Sequence, residues 1–93
     1  MSEFTGRIVR SEAGHDKGSL FCVVGTHGAH LLLANGKQRK FAAPKRKKPA
    51  HVAWLAPAEF DHPAVHKLKQ GEPVSDRELR RALAAFKEGI KLG

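Results

Sequence analysis

The sequence predicts a mainly β protein: a small barrel of about five strands followed by a C-terminal α-helix, together one structural domain. Three observations lead there. Short apolar runs punctuated by glycine recur through the first 55 residues. Asn35-Gly36 stands directly after one of them, and Asn-Gly is the strongest short hairpin signal. From Ser75 onward the apolar period becomes helical, behind a Ser-x-x-Glu start.

Arg7-Ile8-Val9-Arg10 is an apolar pair between basic residues and reads as the first strand. Ser11 to Gly18, with Gly14 and Gly18, reads as a loop. Leu20-Phe21-Cys22-Val23-Val24 is β-branched and aromatic and forms the second strand, expected to close at Gly25. Residues 26–28 read as a turn and residues 29–34, containing Leu31-Leu32-Leu33, as the third strand. Asn35-Gly36 then predicts a hairpin whose return strand is Lys37-Gln38-Arg39-Lys40-Phe41, ended by Pro44. Residues 45–49, Lys-Arg-Lys-Lys-Pro, read as a basic loop. Val52, Trp54 and Leu55 around Ala53 suggest a short closing strand, with Trp54 closing the barrel.

Five short strands with tight turns suit a barrel better than a sandwich, which needs more strands. Residues 56–74 hold three prolines and scattered charge and read as a connector, with one helical turn near Val65–Leu68. In Ser75-Asp76-Arg77-Glu78 the spacing of a capping box predicts the start of a helix over 75–93. Leu79, Leu83, Phe86 and Ile90 form one stripe along it, expected to pack on the barrel.

The chain has 93 residues, enough for one modest core, since a barrel of roughly 60 residues buries only about 60% of its unfolded surface. Its charge is uneven. Seventeen Lys and Arg against nine Asp and Glu give +8, and residues 1–48 hold ten basic and three acidic side chains, a net of +7. A positive potential concentrated in half a chain attracts polyanions, with nucleic acid foremost. A single cysteine, Cys22, excludes an intrachain disulfide and suits a reducing compartment. The sequence shows neither a signal-peptide pattern nor a run of roughly 20 apolar residues, so a cytoplasmic protein without a membrane partner is expected.

Gly6-Arg7-Ile8-Val9-Arg10, Gly14-His15-Asp16-Lys17-Gly18 and Phe21-Cys22-Val23-Val24-Gly25 together resemble a KOW domain: an apolar strand, a glycine-containing loop ending in Lys-Gly, and a second apolar strand. Within that group the chain looks most like the short bacterial RNA-binding type, which is similar to certain eukaryotic and archaeal large-subunit ribosomal proteins. The similarity covers roughly residues 4–55. One departure stands at Ser19-Leu20-Phe21, where many KOW motifs carry a further glycine. The resemblance implies an SH3-like barrel, RNA binding, and association with the ribosome or a transcription complex.

The densest chemical feature is Lys37, Arg39, Lys40, Lys45, Arg46, Lys47 and Lys48, seven basic residues in twelve with no acid. Lys37 and Arg39, two apart on an expected strand, would share a face. Five phosphates neutralised on a single strand would give a log–log salt slope of about −3.5. The bland reading is a solvated basic edge strand. Lys17 and His15 in the glycine loop, and Arg7 and Arg10 around the first apolar pair, join the candidate RNA-binding set. Phe41, beside the basic run, is the best candidate for stacking on an unpaired base, although a place in the core is the stronger expectation for it. Phe21 and Phe86 read as core.

No catalytic constellation is visible. Cys22 lies mid-strand, where a buried, inert thiol is the default. Glu59 and Asp61 are paired carboxylates without a visible pocket. His27, His30 and Cys22 do not have a zinc-ligand spacing, so neither a metal nor another cofactor is expected. The leading expectation is therefore an RNA-binding protein, with ribosomal RNA as target and ribosomal proteins as further neighbours, and with no small-molecule substrate. The alternative is a protein–protein adaptor of the translation or transcription machinery. Double-stranded DNA binding is permitted by charge, but no helix-turn-helix pattern supports it.

Overall fold

The computed structural model describes residues 4–55 and 60–92, with the side chains of residues 90–92 outside the described set. Five strands, β1 (Ile8–Ser11), β2 (Leu20–His27), β3 (His30–Ala34), β4 (Lys45–Lys47) and β5 (Val52–Trp54), form one antiparallel sheet in the order β4-β3-β2-β1-β5. A single 3₁₀ turn, Pro49–His51, joins β4 to β5. Two helices follow, α1 (Pro63–Lys69) and α2 (Asp76–Leu92).

Both faces of the sheet are apolar, and the period of two sorts them. Ile8, Cys22 and Ala34 sit on one face, packed with Ala64, Leu68, Val74, Leu79, Ala82, Leu83 and Phe86 of the helical segment. Val9, Phe21, Val23, Leu31, Leu33 and Val52 sit on the other and form a second core. The register agrees: Ile8 pairs with Cys22 and Cys22 with Ala34, whereas Val9 pairs with Phe21 and Val23 with Leu33. A core on the face away from the helices requires the sheet to curl over itself. One hydrogen bond measures the curl. Lys47 of β4 donates to Ser11 of β1 at 2.9 Å, yet three strand spacings, roughly 14 Å, separate them in a flat sheet.

β2 does not close at Gly25. A register shift between Val23 and Gly25 carries it through to His27. The two-residue turn that follows is Gly28-Ala29, flanked by the His27–His30 pair, with φ +60° at Gly28 and no positive φ at Ala29. That is the pattern of a II′ hairpin, whose twist matches the strands it joins.

Asn35-Gly36 does not make a hairpin, and residues 37–41 are not a strand. The Asn35 side-chain oxygen instead accepts from the Lys37 and Arg39 amides, at 3.0 and 3.1 Å, while the Asn35 and Gly36 amides donate to the Arg39 carbonyl. Such local bonding is the competing use of Asn in turns. Gly36, at φ +79°, lies so close to α2 that a Cβ there would stand 2.2 Å from the Asp76 carbonyl oxygen. The glycine serves a loop-to-helix contact. The fourth strand falls on Lys45–Lys47, the segment expected to be a loop, which pairs with Leu31–Leu33.

The connector is more ordered than one helical turn. Pro63 begins α1, and the His62 ring accepts from the Ala64 amide at 3.1 Å. The α2 start follows the capping box: the Glu78 amide donates to Ser75 Oγ and the Ser75 amide to Glu78 Oε1, both at 3.0 Å. Lys67 on α1 donates to Glu78 at 2.8 Å, and this bond, with the Ser75 amide, holds the Glu78 carboxyl down to about 2. Leu79, Leu83 and Phe86 are buried against the sheet, each worth about 2 kcal/mol of apolar transfer. Ile90 and Glu59 lie outside the described side chains.

Candidate nucleic-acid interface

The basic run divides by strand parity. On β4, Lys45 and Lys47 project to one face and Arg46 to the other. Asp16, in the glycine loop between β1 and β2, receives both inward lysines: Lys45 Nζ at 2.7 Å from Oδ2, and Lys47 Nζ at 2.8 Å from Oδ1. Ser11 Oγ donates to Asp16 at 2.8 Å, and Lys47 also reaches the Ala13 carbonyl at 2.7 Å. Burial would raise the Asp16 carboxyl, but the bonds from Lys45, Lys47 and Ser11 outweigh it and hold the carboxyl far below the ordinary carboxylate range. Lys47 is only 7% exposed. It is a structural cation that ties the curled sheet to the loop, turned inward and fully bonded where the sequence suggests a cation open to RNA. Lys45, three-quarters buried, is held by the same carboxylate.

The rest of the run faces water. Lys37, Arg39, Lys40, Arg46 and Lys48 are exposed, and among the described residues their side chains make no ion pair or hydrogen bond; the same holds for Lys17 in the glycine loop. Lys37 and Arg39 occupy an irregular loop, so the shared strand face expected of them does not exist. Described acids are mostly engaged locally: Glu12 with Arg10, Asp16 with its two lysines, Asp61 beside His66, and Asp76 with the Phe41 amide at 2.7 Å.

Beside these cations lies an open groove of about 410 Å³ between the loops and α2. Gly18, Ser19, Leu20, Asn35, Lys37 and Gln38 line one side, and Arg80, Leu83, Ala84 and Lys87 the other. Among the described residues its lining has three cations and no acid. Arg80 also donates to the Gly36 carbonyl at 2.7 Å, fixing the loop onto the helix. Gly18, at φ +92°, carries open space where a Cβ would stand, so the loop backbone borders the groove bare. Sequence reasoning missed Arg80 and Lys87. The signal was there: Arg80, Leu83, Ala84 and Lys87 fall at i, i+3, i+4 and i+7, one helix face.

The remaining candidates scatter. His15 is exposed on the glycine loop, and Arg10 is exposed but bonded to Glu12 at 2.7 Å. Phe41 is half-buried against the helix-side core. Arg7 stacks 5.3 Å above the ring centre of Trp54, and Trp54, expected to close the barrel, is 38% exposed. Phe21 and Phe86 are buried, and Phe60 meets Phe86 edge-on at 5.3 Å. Cys22 is fully buried, which pushes its thiol up to about 12 and leaves it without a thiolate at neutral pH. Among the described residues, no group of three or more His, Cys, Asp or Glu is placed to hold a metal ion, and no helix is long and apolar enough to cross a membrane. No protein-family model matches the chain, and no curated protein matches it significantly.

Proposed function

We propose that this protein binds RNA, with ribosomal RNA as its target, through the cationic groove and the exposed loop that borders it. The observation that carries the reading is the groove lined, among the described residues, by Lys37, Arg80 and Lys87 without an acid, continuous in the chain with Arg39 and Lys40, whose side chains pair with no described residue. A phosphate backbone is the ligand such a surface suits: multiple point cations, open access, and a bare glycine edge. The meander that brings β5 back beside β1, and the curl that encloses a second core, support an SH3-like, KOW-type barrel as the scaffold. In that reading the barrel holds the loops rigid, and α2 supplies both core and cations.

The test is the salt dependence of binding to ribosomal RNA fragments. Replacing Lys37, Arg39 and Lys40 together with Ala should flatten the log–log slope by about 2 for a single-stranded contact. An unchanged slope removes that loop from the site. Sedimentation with the large ribosomal subunit at low salt, lost at high salt, is the expected companion result. No binding to RNA at low salt overturns the proposal.

A further inference from the structure

Among the described residues the large exposed hydrophobics are two, Phe4 at 36% and Trp54 at 38%, and they touch each other. Their ring centres lie 5.3 Å apart at an interplanar angle of 38°. Arg7 lies over the Trp54 ring at 5.3 Å. The register explains the grouping. Val9 pairs with Trp54 and Ser11 with Val52, so Arg7, Val9 and Ser11 on one side and Val52 and Trp54 on the other look into the same concave face. One end of that face is closed by the Ser11, Asp16 and Lys47 cluster. The other end opens on Trp54.

An aromatic side chain held at the open end, with an arginine on its ring, suits a flat π system that travels with negative charge. A nucleobase on a phosphate backbone has that chemistry. Arg7 is the cation at the ring itself, whereas Arg10 on neighbouring β1 pairs with Ala53, projects to the other face and is bonded to Glu12. The Arg7 charge at the patch is complementary to the phosphates of a nucleic-acid strand.

We infer that Trp54, backed by Arg7 and flanked by Phe4, is a stacking platform for an unpaired base, so that the RNA bound is a single strand or an unpaired loop. The inference rests on the RNA-binding proposal and narrows it. A base inside a duplex cannot reach the ring, because its faces are already stacked. Phosphate contacts alone do not discriminate in this way.

Trp54 is the only tryptophan and the chain has no tyrosine, so intrinsic fluorescence reports this ring directly. The experiment titrates the full chain with fluorescein-labelled oligouridylate and with a labelled RNA duplex, reading anisotropy for binding and tryptophan emission for stacking. The expected result is quenching by oligouridylate and not by duplex. Trp54→Ala should weaken oligouridylate binding by about 5- to 150-fold and leave duplex binding unchanged. Trp54→Phe should retain most of the affinity, which separates stacking from a folding defect. Binding seen by anisotropy without quenching, with Trp54→Ala at wild-type affinity, overturns the platform and leaves RNA binding standing. Equal quenching by duplex overturns the single-strand assignment. An RNase-insensitive protein complex lost in Trp54→Ala, with RNA affinity unchanged, reassigns the patch to protein docking. Absence of binding to either RNA at low salt overturns both proposals.

Discussion

Replacing Asp16 with Asn tests the clamp at the closed end of the curled sheet. The side chain keeps its shape and one acceptor oxygen but loses its charge, and Lys47, 7% exposed, keeps a buried ammonium with neutral acceptors alone: the Ser11 hydroxyl, the Ala13 carbonyl and the new amide oxygen. Breaking a buried ion pair from one side costs about 3–5 kcal/mol; the neutral acceptors that remain place this case near 3. Lys45 can turn toward water, so its share is within about 1 kcal/mol. A domain of this size has a total stability of roughly 5–14 kcal/mol. The loss should therefore lower the melting midpoint by about 12–24 °C.

Thermal and urea unfolding followed by circular dichroism would read it. The double variant Asp16→Asn with Lys47→Met should recover most of the loss, because the buried charge leaves together with its partner. The acid limb supplies a second readout. Asp16 has a folded pKa below its unfolded value, so the unfolded chain binds more protons in the interval between them. Stability then is fully present above the ordinary carboxylate range, near 4, and falls as pH drops toward the depressed folded value. Glu78, held down to about 2, titrates in the same direction, so the comparison with Asp16→Asn isolates the Asp16 part of the limb. A midpoint shift of only a few degrees, with an unchanged acid limb, would refute the view that this cluster holds the curl.

Two further substitutions probe how the loops meet α2. Gly36→Ala must both leave φ +79° and move a methyl away from the Asp76 carbonyl, so it should cost at least about 2 kcal/mol in urea unfolding and loosen the Arg80–Gly36 bond beside the groove. Ser75→Ala removes the acceptor of the Glu78 amide and should cost about 1 kcal/mol, with the helix remaining formed by far-ultraviolet circular dichroism.

What could be read from the sequence was what local physics decides alone. Ile8-Val9 and Leu20 to Val24 had no alternative to a buried strand, and the capping box at Ser75 and Glu78 acts within one turn. What could not be read depended on partners distant in the chain. Asn35-Gly36 carries the same residues in a hairpin and in a loop pressed on a helix, and only the Asp76 carbonyl, forty residues later, distinguishes the two. Lys45–Lys47 looked like a loop because three cations in a row suggest water on every side. A single carboxylate, Asp16, 29 residues earlier, admits alternate lysines to the interior and makes the run a strand. Trp54 reads as a barrel-closing residue, yet the concave face is filled by Phe21, Leu31 and Leu33 before Trp54 is reached, and the ring is left 38% exposed.

The division of the basic run bears on how charge is turned into function. Counted along the chain, residues 37–48 offer seven equivalent cations. In the fold, Lys45 and Lys47 neutralise the partly buried Asp16 carboxylate, and substituting them disturbs the curled sheet before it disturbs any ligand. Lys37, Arg39, Lys40, Arg46 and Lys48 carry the outward field, and Arg80 and Lys87 add to it from a helix with nearly balanced local charge. A variant that removes Lys45 to Lys48 as a block therefore confounds two effects: two of its four sites should unfold the clamp, and two should lower affinity. Separating them by parity makes the salt slope interpretable, since only outward cations release counterions from a bound phosphate. The same parity rule joins the two ends of the concave face. The residues that alternate inward on β1 and β5 end in an ion cluster at one end and in an exposed indole at the other, so the rigidity that the Asp16 clamp gives the sheet also fixes the position of the ring.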